Sequence, residues 1–86
     1  MYTAEEKARI RWRCRRGMLE LDVVIMPFFE DCFDDLTEAE QQEFVSLLDC
    51  DDPDLFKWIM SQGRSENLAH ASMVDKVVAY NQNRNR

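Results

Sequence analysis

The sequence predicts an all-α fold, a single-domain compact bundle of five short helices, and three observations carry that expectation. Two capping-box signatures, Thr3 with Glu6 and Thr37 with Glu40, mark helix starts: the hydroxyl accepts from a backbone N–H three residues on, and the glutamate reaches back. Apolar residues recur at three- and four-residue spacing along most of the chain. The one β-branched run, Val23, Val24 and Ile25, favours a strand locally but has no second strand-like segment to pair with.

The first helix is expected from Ala4 to about Arg16, with Gly17 placed to stop it. Its apolar contacts are assigned to Ala8 and Trp12, with Ile10 and Cys14 as further candidates. Leu19 opens the second helix, with Val23, Met26 and Phe29 or Phe33 on one face and Val24, Phe28 and Cys32 beside it. Pro27 falls inside this pattern and removes one backbone donor, so a kink or break is expected there. The third helix follows Thr37, buries Phe44, Leu47 and Leu48, and ends near Asp49 or Cys50.

Asp52 and Pro53 read as N-cap and first helical residue of a fourth helix, whose Leu55, Phe56, Ile59 and Met60 face inward and which Gly63 ends. Ser65 is the expected cap of the fifth, with Leu68, Ala71, Val74 and Val78 at helical spacing up to about Tyr80. Residues 81–86 are expected to fray.

A chain of 86 residues buries only about 60% of its unfolded surface, so residues 1–86 are read as one domain with one thin core. Two glycines and two prolines leave little that reads as linker. No apolar run is long enough to span a bilayer, and Glu5, Glu6 and a basic series stand where a signal peptide would be apolar. A cytoplasmic location is expected, without membrane insertion. Cys14, Cys32 and Cys50 are an odd number at wide spacing, which fits neither a disulfide framework nor a CxxC pair. They read as reduced, mostly buried small residues.

The net charge of -6 conceals an asymmetry. Lys7, Arg9, Arg11, Arg13, Arg15 and Arg16 are six of the eleven basic residues, whereas Gly17 to Phe56 contains none. Exposed ion pairs contribute only about 0 to 1 kcal/mol each, so part of this charge is expected to be free for partner selection. The acidic body weighs against nucleic-acid binding, and arginines encircling the first helix weigh against membrane-surface binding.

A catalytic inventory is nearly empty. His70 is the only histidine, without a cysteine at chelating spacing, and reads as a surface or boundary residue. Asp49, Asp51, Asp52 and Asp54 lack the glycine and glutamate of a calcium loop, and helix capping accounts for them. The sequence therefore predicts neither catalytic nor metal-ligating residues, and a binding protein in place of an enzyme.

The segment Cys14-Arg15-Arg16-Gly17-Met18-Leu19-Glu20-Leu21-Asp22 carries an Arg-Gly-x-x-Glu motif followed by Leu-Asp. With Met26-Pro27-Phe28-Phe29, and with Leu47-Leu48 ahead of Asp51-Asp52-Pro53-Asp54-Leu55-Phe56 and Trp58, it resembles the SdhE family over about Lys7 to Trp58. The resemblance implies a five-helix FAD assembly factor, a chaperone that binds the flavoprotein subunit of succinate dehydrogenase or fumarate reductase and promotes its covalent flavinylation. In that family the flavin becomes bonded to a histidine of the client. The FAD then belongs to the client, and no cofactor is expected to be stably bound here.

Residue by residue, the resemblance marks Arg16, Gly17 and Glu20 as the client-contact surface, with Arg9, Trp12 and Met18 as its extension. Each has a plainer reading as a helix-end charge, a left-handed cap, a dipole-favoured acid or, for Trp12, a core residue. The chain is expected to be a monomer. The alternative function is a small antitoxin of a toxin–antitoxin pair, a label also attached to relatives of this family.

Overall fold

The computed structural model describes residues 2–84, which form five helices: α1 (Ala4–Arg13), α2 (Leu19–Cys32), α3 (Glu38–Leu47), α4 (Asp52–Ile59) and α5 (Leu68–Arg84). A 3-10 turn, Phe33–Asp35, follows α2, and no strand occurs among the described residues. The all-helical, five-helix expectation holds.

Both capping boxes are present. Glu6 N–H donates to Thr3 Oγ1 at 3.1 Å and Thr3 N–H to Glu6 Oε1 at 2.9 Å; Thr37 and Glu40 repeat this at 3.1 and 3.0 Å. The backbone N–H of Thr3, then its hydroxyl, hold the Glu6 carboxyl below its ordinary pKa. The Thr37 N–H, then the Lys76 ammonium, do the same for Glu40. The folded chain thus binds these protons more weakly than the unfolded one, so the stabilisation is full above the ordinary carboxylate range and disappears as pH falls through the lowered values. Thermal melts followed by circular dichroism should show a midpoint that is flat from neutrality to about pH 5 and falls below about pH 4. A midpoint that rises on acidification would contradict the cap assignment.

α1 ends three residues earlier than expected. Cys14 is its C-cap and is fully buried, and Ile10, one turn before, is the only buried residue within the helix. Ala8 and Trp12, assigned to the core from sequence, lie on the other side of this stripe, and Trp12 is 72% exposed. In α2 the buried stripe is Leu21, Val24, Ile25, Phe28 and Phe29, which leaves Val23 exposed and Met26 half-buried.

Pro27 neither breaks nor ends α2. The carbonyl deprived of its donor is that of Val23, four residues earlier. Arg84 Nη2 donates to that oxygen at 3.2 Å, so the last turn of α5 replaces the missing bond.

α4 starts one residue earlier than expected, with Asp51 as N-cap, and ends at Ile59 instead of near Gly63. The stop is a Schellman motif built on Ser61, whose φ of 60° is left-handed. Ser61 N–H donates to Trp58 O at 3.2 Å and Gln62 N–H to Lys57 O at 2.8 Å. Met60, expected inside, is the exposed C-cap just before this turn.

Asn67, not Ser65, caps α5: its Oδ1 accepts from the N–H groups of Ala69 and His70 at 2.9 and 3.2 Å. Ser65 sits one step earlier and accepts from Asn67 N–H. Leu68, expected inside, is exposed, and Ala71, Met73, Val74 and Val77 form the inward face. The helix continues past Tyr80 to Arg84; of the tail expected to fray, Asn85 and Arg86 lie outside the described residues.

The core is centred on four phenylalanines. Phe44, with no exposed surface, stands 5.6, 6.1 and 5.7 Å from the rings of Phe28, Phe29 and Phe33. α5 packs across α2, α3 and α4, and α1 lies against α2.

Candidate functional site

The turn between α1 and α2 places the motif residues. Cys14 plugs its inner end, and burial pushes the thiol up to about 12, so this cysteine is an inert apolar group. Arg16 N–H donates to Asp22 Oδ1 at 2.7 Å, which closes the turn onto the first turn of α2. Gly17 lies inside the turn with φ 83°, past the end of the helix it was expected to cap. A Cβ on Gly17 would meet no atom within 4 Å. The position therefore requires a left-handed backbone and faces open space.

Glu20 is exposed in the first turn of α2 and makes no hydrogen bond or ion pair among the described residues. It is thus available to a partner. Met18, the extended N-cap of α2, is half-buried and packs against the core, so it supports the turn more than it presents a side chain. Arg9 is exposed one turn before Trp12 and pairs with Glu5 at 3.0 Å.

Arg16 turns inward. Its side chain is only 16% exposed, and Nε pairs with Asp52 Oδ1 at 2.7 Å. Nη1 donates to Arg13 O and Leu48 O at 3.1 and 2.9 Å, and Nη2 to Cys50 O at 3.0 Å. Of the three motif residues, Gly17 and Glu20 stand at the surface and Arg16 lies beneath them.

The expected surplus of positive charge on α1 is almost wholly consumed within the chain. Lys7 pairs with Asp34 at 2.7 Å, Arg11 with Glu30 at 3.0 Å, and Arg13 with Asp49, in addition to the Arg9 and Arg16 pairs. Arg15 is the cation of this series with no ion-pair partner among the described residues.

Sequence reasoning named Trp12 and Met18 but missed the aliphatic part of this surface. Leu19 is 73% and Val23 48% exposed, and they share a face of α2 with Asp22 and Met26. Arg11, Trp12, Arg15, Asp22 and Met26 line an open depression of about 340 Å³ between the two helices. The signal was the unusual breadth of the apolar pattern in α2, wider than one buried stripe requires. An exposed tryptophan with neighbouring aliphatic groups and an arginine has the composition of a protein-binding hot spot.

The fold does bring His70 to a cysteine, which the spacing in sequence does not suggest. His70 Nδ1 is 3.6 Å from Cys50 Sγ, and its Nε2 is 2.9 Å from Ser46 Oγ. This is no activated nucleophile. Burial first, then Asp54, Asp49 and Asp51, raise the Cys50 pKa and keep it a thiol. Among the described residues no group of three or more His, Cys, Asp or Glu side chains could hold a metal ion, and no helix is long and apolar enough to cross a membrane. What the arrangement offers is a surface for protein recognition.

Comparison with known proteins points the same way. Residues 8–81 match the profile of a family described as flavinator of succinate dehydrogenase. The chain is 79% identical over 81 residues to the FAD assembly factor SdhE of Vibrio vulnificus, covering 94% of each chain. It is 65% identical to that of Photobacterium profundum over 86 residues, covering 100% of this chain and 98% of the relative. At greater distance, 50% identity over 80 residues to that of Yersinia pseudotuberculosis covers 93% and 91%. A solution structure from a structural-genomics effort superposes with a TM-score of 0.81 at 71% identity, covering 98% of this chain and 89% of the other.

Proposed function

The chain belongs to the SdhE family of succinate dehydrogenase flavinators, and from that premise we propose that it binds the flavoprotein subunit through the surface around Gly17 and Glu20. It is an FAD assembly factor, a non-catalytic chaperone. The family's description supports this reading over the antitoxin alternative.

In this reading the client supplies both flavin and the histidine to which it becomes bonded, and the assembly factor supplies order. Held against the α1–α2 junction, the client's mobile parts bring histidine and flavin into reactive geometry. Positioning of this kind can be worth about 7 to 11 kcal/mol in favourable cases. FAD stays with the client throughout, and fumarate reductase flavoprotein is a second client of the same kind. The factor works in the cytoplasm as a monomer of one domain.

The observation that carries the surface assignment is Glu20: an exposed carboxylate without a partner, beside a glycine whose outer side is open. Gly17 permits close approach, Glu20 fixes register, and Trp12 with Leu19 and Val23 supplies apolar contact, with Arg9 and Met18 at the margin and Arg16 behind the turn. Titration of the FAD-loaded flavoprotein subunit with the Glu20→Ala protein should show affinity weakened by about 1 to 3 kcal/mol, with thermal stability unchanged. Unchanged affinity would make Glu20 a helix-dipole residue and remove it from the surface.

A further inference from the structure

We propose that Arg16 acts as a positioning residue, which holds the Gly17–Glu20 turn in its client-binding form by tying it to the α3–α4 connection, and makes no principal contact with the client itself. The inference rests on the surface assignment above and goes beyond it by joining the Asp52 segment to the functional unit.

The hydrogen-bond count decides between the two roles. A guanidinium has five N–H donors. Arg16 spends four of them inside the molecule, on Asp52, Arg13 O, Leu48 O and Cys50 O, so no two-pronged fork remains for a partner carboxylate. The three carbonyls lie at or just beyond the C-terminal ends of α1 and α3, where unpaired oxygens and the negative ends of the helix dipoles converge. A cation belongs there on electrostatic grounds.

The anchored backbone is the motif's own. Arg16 N–H is bonded to Asp22, so residue 16 is fixed through its side chain to α3 and α4 and through its main chain to α2. Gly17, with its open outer side, and Glu20 follow directly. The two sequence landmarks, Arg-Gly-x-x-Glu and Asp-Asp-Pro-Asp-Leu, are thereby one structure, joined by Arg16 and Asp52 at 2.7 Å. Lysine at residue 16 keeps the charge but cannot reach Asp52 and three carbonyls with one ammonium group.

The experiment is a double-mutant cycle on affinity for the FAD-loaded flavoprotein subunit, using Arg16→Lys, Glu20→Ala and the double variant, with amide hydrogen exchange of residues 16–20 measured in each free protein. Arg16→Lys is expected to stay helical, to exchange faster in the turn alone, and to bind about tenfold more weakly. The double variant is expected to bind no more weakly than the poorer single variant, because a displaced Glu20 has nothing left to lose. Asp52→Asn should reproduce the faster exchange and weaker binding. Additive losses would make Arg16 a direct contact and overturn the proposal, as would full binding by Arg16→Lys when Glu20→Ala binds poorly. If Glu20→Ala itself binds like wild type, the surface assignment falls and the proposal with it.

Discussion

The Gly17→Arg protein should fold and fail. Its expected cost to the fold is only that of placing a side chain at φ 83°, about 1 to 2 kcal/mol, since a Cβ there meets no atom within 4 Å. For a domain of this length that corresponds to a fall in melting temperature on the order of 5 to 15 °C, with the helical circular dichroism spectrum retained at 25 °C. The long side chain must project outward beside Glu20, into the space assigned to the client. Covalent flavin on the client should therefore drop to the level seen without the factor. Gly17→Ala separates the two effects: it carries the same backbone strain with little added bulk, so it should melt alike and keep most activity. An unfolded Gly17→Arg protein, or equal inactivity of both variants, would contradict the open-face account.

The largest effect on stability is expected from Phe44→Ala. Phe44 is fully buried and packs near Phe28, Phe29 and Phe33, which come from α2 and the 3-10 turn, so truncation leaves a cavity within the core. Such changes cost about 3 to 5 kcal/mol. A domain of this length has roughly 5 to 13 kcal/mol in total, so the loss is a large share of it. The melting midpoint should fall by more than about 12 °C, with broadened unfolding. A fall of only a few degrees would mean that the core is held elsewhere.

What was legible in the sequence was local chemistry. Thr3 with Glu6 and Thr37 with Glu40 announce their helices because both halves of each box lie within four residues. The Arg-Gly-x-x-Glu segment was equally plain as a motif. What was not legible depends on distant partners. Pro27 was expected to interrupt α2 because its substitute donor, Arg84, is 61 residues away. The end of α1 is misplaced because the inward turn of Arg16 depends on Leu48 and Asp52, more than thirty residues away.

Trp12 reads equally as a core residue because α1 alternates apolar and basic residues, a pattern that leaves helical phase open. Only the pairing of Ile10 and Cys14 as the buried stripe turns the tryptophan outward. The positive charge read as available to a partner is bound by Asp34, Glu30, Asp49 and Asp52 from other elements. Composition could show the asymmetry but not its internal settlement.

The most direct test of the central claim is covalent flavin fluorescence of the succinate dehydrogenase flavoprotein, resolved on a denaturing gel, from cells with and without this gene. The account predicts that the signal falls when the gene is absent and returns with the wild-type protein but not with Gly17→Arg. A signal that does not change with the gene, or that Gly17→Arg restores in full, would contradict it.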